Sequence, residues 1–275
     1  MLALVTGGAG MLAGDLIPAL EDEGFDVISC DIEDFDLCDE DAVREYILGV
    51  KPDLIIHTAG YTNVEQAEAE PELAMNVNAL GTKYVAQAAK ELDVPLVYIS
   101  TDYVFDGEKN AQYLPDDMPN PLNVYGKSKL AGENFVSDIC EKYYIVRTSW
   151  LYGTYGKNFV QTMLSHKDDE EIKVVNDQIG SPTWTVDLSD GIIKILDMPF
   201  GTYHISGGGK CSWYEFACEI FKCVGAAVKV IPAVSADVSQ MAKRPAFSSM
   251  KPSIKTKNWK ESLKNYLFIC DLEVD

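Results

Sequence analysis

Along the first 150 residues, apolar positions fall in short continuous runs at 2–6, 26–30, 53–57, 95–101 and 143–147. Between them the spacing turns helical. Leu16, Ile17, Ala19 and Leu20 share one face, residues 39–49 form an amphipathic stretch, and 71–92 is long and rich in Ala. Another helical stretch follows Pro121 and carries Tyr125. Runs without polar alternation, separated by helices, predict a parallel sheet covered on both faces. Beyond about residue 150 the rhythm loosens. Helices are predicted at 157–165, 186–196 and 212–224, short strands at 172–175 and 202–205, and loop over the Pro/Ser-rich stretch 231–253. The pattern gives a doubly wound α/β domain over 1–150. A smaller α+β lobe follows over 151–275, with some of its segments returning to the sheet.

The first strand-to-helix turn reads Thr6-Gly7-Gly8-Ala9-Gly10-Met11-Leu12-Ala13-Gly14. A glycine turn in that position is the setting of a dinucleotide fingerprint. Gly7 permits the tight turn, Gly10 lets backbone approach a pyrophosphate, and Ala13 allows close helix–strand packing. The N–H groups of a helix starting at Met11 and Leu12 would then face the phosphates. Asp31 ends the second strand, 21 residues after Gly10. An acid there binds ribose hydroxyls. Glu33 and Asp34 add negative charge with no Arg or Lys nearby. NADH is therefore expected to be favoured over NADPH, whose extra phosphate would be repelled. Asp36 and Leu37 are candidates for the adenine pocket. Ala59, Gly60 and Tyr61 close the third strand, where ligands sit in open α/β sheets. These features together read as a Rossmann-type domain. His57 reads as a packed strand residue.

Composition narrows the classes further. The 275 residues carry 23 Lys and Arg against 43 Asp and Glu, a formal charge of −20. That excess argues against nucleic acid or an anionic membrane as partner. Arg44, Arg147 and Arg244 are the only arginines. The seven cysteines include no Cys-x-x-Cys pair, so reduced thiols and a cytoplasmic location are expected. The three histidines are scattered, and no metal is expected. No apolar run approaches the about 18 residues of a membrane span, and the sequence begins directly with a strand.

Tyr125 and Lys129 stand four apart on one helix face. A nearby ammonium lowers a phenol pKa, and a tyrosine so tuned can exchange a proton with a carbonyl oxygen. Gly7-x-x-Gly10-x-x-Ala13, Asp31, Ala59-Gly60 and Tyr125-x-x-x-Lys129 together resemble the extended short-chain dehydrogenase/reductases. Five longer blocks, at 57–68, 100–107, 121–133, 147–153 and 176–183, resemble one branch, the dTDP-4-dehydrorhamnose reductases.

The resemblance implies hydride transfer from NADH or NADPH to the C4 ketone of a small-molecule nucleotide sugar, for polysaccharide synthesis. It implies Thr101, Tyr125 and Lys129 as the catalytic set. Asp102 and Tyr103 would bind the substrate, Trp150 would contact its sugar, and the blocks Lys157-Asn158-Phe159 and Lys243-Arg244-Pro245 would hold the nucleotide part, through Asn158 and Arg244. Ser100 could share the duty of Thr101. Because some members dimerise, a homodimer is left open. Two other readings also stay open: another nucleotide-sugar 4-ketoreductase or epimerase, and a non-catalytic regulatory subunit like that of methionine adenosyltransferase.

Overall fold

The computed structural model describes residues 1–237 and 241–272. The chain runs β1 (Leu2–Thr6), α1 (Met11–Asp22), β2 (Asp26–Cys30), α2 (Glu40–Val50), β3 (Leu54–His57), α3 (Val64–Ala69), α4 (Pro71–Met75), α5 (Thr82–Leu92), β4 (Leu96–Thr101), α6 (Val124–Ile139) and β5 (Tyr143–Thr148). It continues through β6 (Leu151–Tyr152), α7 (Phe159–Ser165), β7 (Glu171–Val175), β8 (Ile179–Gly180), β9 (Thr183–Trp184), α8 (Thr185–Ile195), β10 (Gly201–His204), β11 (Cys211–Ser212), α9 (Trp213–Cys223), β12 (Lys229–Ala233) and α10 (Trp259–Leu272).

Six strands form one parallel sheet in the order β10-β5-β4-β3-β1-β2. Helices cover both faces. Leu12, Leu16 and Leu20 of α1 pack with Leu188, Ile192 and Ile195 of α8 against Ala3, Val5, Val97 and Val146. On the other face, Val43 and Ile47 of α2, Val85 and Ala89 of α5 and Val136 of α6 cover Leu4, Ile55, Leu96 and Ile145. Burial on both sides is why these strands read as unbroken apolar runs. The strand order reverses at β1 and β3, so a crevice opens at their carboxyl ends.

The second lobe has its own core, built on Tyr152, Phe216, Trp259 and Tyr266. The division at residue 150 is crossed twice, because α8 and β10 return to the large sheet. The stretch 231–253 is not all loop. Residues 229–233 form β12, which pairs in parallel with β7, and Asn176 N extends the ladder to Ala233 O. Positions 238–240 of that stretch lie outside the described residues.

The single helix expected over 71–92 is divided. A π-helical segment, Asn76–Gly81, separates α4 from α5, and the short helix α3 precedes them. Helical periodicity cannot reveal an inserted residue in the backbone ladder, since the apolar stripe resumes on the far side. No disulfide forms among the described residues. Cys30, Cys140 and Cys211 are buried and Cys38 is exposed.

Candidate active site

The glycine turn leaves β1 with Gly7 at φ +73°, a conformation costly for other residues. A side chain on Gly7 would also stand 2.8 Å from the Ala59 backbone. α1 then starts with no side-chain cap on Gly10, so its first N–H groups point freely into the crevice. The Asp31 carboxylate ties the turn to the end of β2, accepting from Ala9 N at 2.9 Å and from Ile32 N at 2.8 Å.

Beside this turn lies a mostly apolar recess of about 290 Å³. Ile32, Phe35, Leu37, Leu73 and Val77 supply its apolar wall, and Asp31, Asp36, Ala59, Gly60 and Tyr61 its rim. An uncapped helix N-terminus, a bare glycine cradle and a flat apolar recess suit a dinucleotide: phosphates at the first, an aromatic base in the last. Tyr61 is held by a 2.6 Å hydrogen bond to Glu70. His57 is packed as a strand residue. Its ring nitrogens meet Thr6 Oγ1 at 2.7 Å and Thr82 Oγ1 at 3.1 Å, and burial depresses its pKa to about 3.

The recess opens into a wider cleft of about 640 Å³. Gly7, Gly10, Met11, Leu12, Asp31, Ala59 and Gly60 line it from the cofactor side. Thr101, Asp102, Tyr103, Tyr125, Lys129 and Trp150 line it from the other. Thr101 ends β4, and Tyr125 and Lys129 occupy the first turns of α6, which Asn123 caps by accepting from Gly126 N at 2.7 Å. Gly126 is required there, because a Cβ would stand 2.2 Å from Tyr103 O.

The electrostatics correct one expectation. Tyr125 is half-buried, and desolvation drives its pKa up to about 12, with the Thr101 hydroxyl pulling it back and Asp102 adding to the rise. The net shift of Tyr125 is therefore upward, where the spacing with Lys129 suggested a lowering. Burial brings Lys129 itself down to about 7, against the pull of Glu133. Its Nζ lies 4.3 Å above the Tyr98 ring. Asp102 is also buried. Its pKa is raised to about 7, opposed by hydrogen bonds from Ser248 and Thr101.

Trp150 lines the cleft in an unusual backbone conformation, φ +49°. Its indole stacks on Trp213 with centroids 3.5 Å apart and planes 7° from parallel. Gly180 makes room for it, since a Cβ there would stand 2.3 Å from the indole.

Two predicted site residues line neither the recess nor the cleft. Asn158 caps α7, accepting from Gln161 N at 3.1 Å and donating to Gly153 O at 2.8 Å, so its amide is committed to the fold. Arg244 lines a separate hollow with Lys243, Gln178 and Asp177 and pairs with Glu65 at 2.5 Å. It reaches the cleft only through Tyr103, whose burial-raised pKa it pulls down. Lys157, from the same block as Asn158, does line the cleft. Sequence reasoning missed Trp213, which also lines it, and Asn78 and Glu133 behind it. The Ser212–Glu215 capping box marks Trp213 as a first helical residue, but nothing local pairs it with Trp150. Glu133, four residues after Lys129, was legible in the spacing.

A hydroxyl, a phenol and an amine at the carboxyl edge of this sheet, beside a dinucleotide cradle, define an oxidoreductase of the extended short-chain dehydrogenase/reductase class. The profile of the RmlD substrate binding domain family matches residues 1–270. The chain is 39% identical over 285 residues to a dTDP-4-dehydrorhamnose reductase of Aggregatibacter actinomycetemcomitans, covering 95% of this chain and 97% of that one. Among solved structures, a dTDP-4-dehydrorhamnose reductase of Clostridium acetobutylicum superposes with a TM-score of 0.95 at 42% identity, covering 98% of this chain and 100% of that one. Another from Bacillus anthracis, in complex with NADP, gives a TM-score of 0.95 at 41% identity, covering 98% and 99%. The chain belongs to the dTDP-4-dehydrorhamnose reductase family.

Proposed function

We propose that this protein reduces the C4 ketone of dTDP-4-dehydro-β-L-rhamnose to give dTDP-β-L-rhamnose. The observation that carries the reading is the convergence of Thr101, Tyr125 and Lys129 with the glycine turn and Trp150 on one cleft. Bound along the crevice, the reduced nicotinamide supplies the hydride. Gly7, Gly10, Met11 and Leu12 hold its phosphates, and Asp31, Asp36, Leu37, Ala59, Gly60 and Tyr61 hold its adenosine half.

Thr101 positions the ketone oxygen, and Tyr125 donates its proton to that oxygen as C4 becomes tetrahedral. With a pKa near 12, Tyr125 keeps that proton at neutral pH, the form an acid must have. Lys129, charged below about pH 7, stabilises the phenolate left behind. The stacked face of Trp150 and Trp213 offers an apolar wall to a hexose ring. Lys157, in the cleft, is the cation available to the diphosphate, and Arg244 would join it by giving up its pairing with Glu65. The division of labour is thus a cofactor domain over 1–150 and a mainly substrate-binding lobe over 151–275.

The cofactor preference follows from charge. The recess is bordered by Asp31 and Asp36, and among the described residues no Lys or Arg lines it, so NADH is assigned as the preferred donor. The Bacillus anthracis relative is described with NADP, which makes the ratio of kcat/KM for the two donors the test. A ratio favouring NADPH overturns the assignment.

Turnover is tested by following oxidation of the reduced nicotinamide with dTDP-4-dehydro-β-L-rhamnose, with the sugar product identified. Tyr125→Phe should lose activity by about a hundred- to ten-thousand-fold while binding cofactor normally. Near-wild-type kcat in that variant would remove Tyr125 from its role. Cofactor that exchanges freely during turnover separates a reductase from an epimerase, which retains it.

A further inference from the structure

Behind the catalytic pair lies a charged network that the reduction as described does not use. Tyr125, Lys129 and Glu133 follow one another at four-residue spacing on α6, so all three share a face. Glu133 is 3% exposed. Its carboxylate takes two hydrogen bonds from Arg147 of β5, at 2.9 Å from Nε and 2.6 Å from Nη2. It takes a third from Ser100 Oγ at 2.5 Å, the residue next to Thr101. Arg147 is 5% exposed and is further held by Pro115 O at 3.1 Å. A buried pair of this kind is weak evidence for stability, since apolar residues of similar volume often serve as well. Its place one helical turn from Lys129 suggests another use.

We propose that the Glu133–Arg147 pair sets the charge of Lys129: Glu133 holds the buried ammonium ionised, and Arg147 limits how strongly it does so. Both are positioning residues, acting on the reaction only through Lys129. The inference rests on the reading of Lys129 as the partner of Tyr125.

The groups around Lys129 leave this role to Glu133. From α6 come Tyr125, which keeps its proton, and Glu133. From β4 comes the neutral Tyr98 ring. From β3 comes His57, kept neutral by burial and by Lys129 itself. Asp102, next to Thr101, acts on Tyr125, and β5 contributes Arg147, which is paired with Glu133. Burial alone drives Lys129 toward the free amine, and Glu133 is what opposes it. An ammonium close to a carboxylate is favoured in its charged form, and close to a guanidinium it is disfavoured. Removing either member of the pair must therefore move Lys129 in opposite directions.

The test is an NMR titration of the full-length protein carrying isotope-labelled lysine. The Lys129 Cε resonance is assigned by its loss in Lys129→Met. Glu133→Gln should shift its midpoint down by about one pH unit or more, and Arg147→Gln should shift it up. The alkaline limb of kcat should move with each. Unmoved midpoints, or shifts in the same direction for both variants, overturn the proposal, because general loosening of the site cannot give opposite signs. Should a single variant fail to fold, the double variant Glu133→Gln/Arg147→Gln leaves neither member of the pair as an unpaired buried charge. It removes the nearer, favourable carboxylate, so a downward shift is expected and an upward or absent one is refuting. The titration needs no sugar nucleotide. Absence of turnover would sink the proposed reaction while the midpoints stand, and unmoved midpoints in an active enzyme would sink only this inference.

Discussion

Replacing Asn78 with alanine should loosen the cofactor turn from the catalytic helix. Asn78 sits in the π-helical segment and is 1% exposed. Its Oδ1 accepts from Tyr61 N at 2.7 Å, and its Nδ2 donates to Tyr61 O at 3.0 Å and to Ser128 Oγ at 2.9 Å. Ser128 Oγ donates in turn to Tyr125 O at 2.8 Å. One side chain thus joins the turn bearing Ala59, Gly60 and Tyr61 to the helix bearing Tyr125 and Lys129. At about 1 kcal/mol per hydrogen bond, Asn78→Ala should cost about 3 kcal/mol, and more if the Tyr61 N–H is left without water. For a chain of this size that is a fall in Tm of about 6 °C. The cofactor KM should rise, because the turn is no longer fixed. Asn78→Asp keeps the acceptor for Tyr61 N but sets a carboxylate oxygen against Tyr61 O, so it should be no better than alanine. Thermal unfolding by circular dichroism and a fluorescence titration with NADH measure both effects. A Tm within about 2 °C of wild type, with unchanged NADH affinity, would refute the linkage.

Other predictions follow from the same geometry. Trp150→Ala and Trp213→Ala should each raise KM for the sugar nucleotide and leave NADH affinity unchanged, since the two rings form one wall; an unchanged KM in both returns them to packing. Gly180→Ala should act in the same direction by pushing the Trp150 indole off its stack, read as a higher KM with unaltered cofactor binding. Gly7→Val should abolish NADH binding, because its φ of +73° and the 2.8 Å approach to Ala59 leave no room for a side chain; tight NADH binding by a folded variant would contradict it. The pH profile of kcat should fall as pH rises through about 7, where Lys129 loses its proton. The depressed pKa of a base leaves its charged form only below that value. A flat profile from pH 6 to 9 would contradict it.

The alternation of strands and helices over the first 150 residues, the glycine turn, Asp31 and the Tyr125–Lys129 pair were legible in the sequence, because each rests on a local rule. A parallel strand buried on both faces must be apolar throughout, a tight turn against a phosphate must lack side chains, and helical spacing puts i and i+4 together. The pairing of Trp150 with Trp213, the clamp from Asn78 to Tyr61 and Ser128, and the return of β10 to the sheet join residues far apart in the chain, so only tertiary structure decided them. The same holds for the ionisation of the site. Spacing predicts that Lys129 and Tyr125 interact, but burial sets their protonation, and burial is a property of the packed molecule. Asn158 shows the converse: motif position suggested ligand contact, while Gly153 and Gln161 claim its amide.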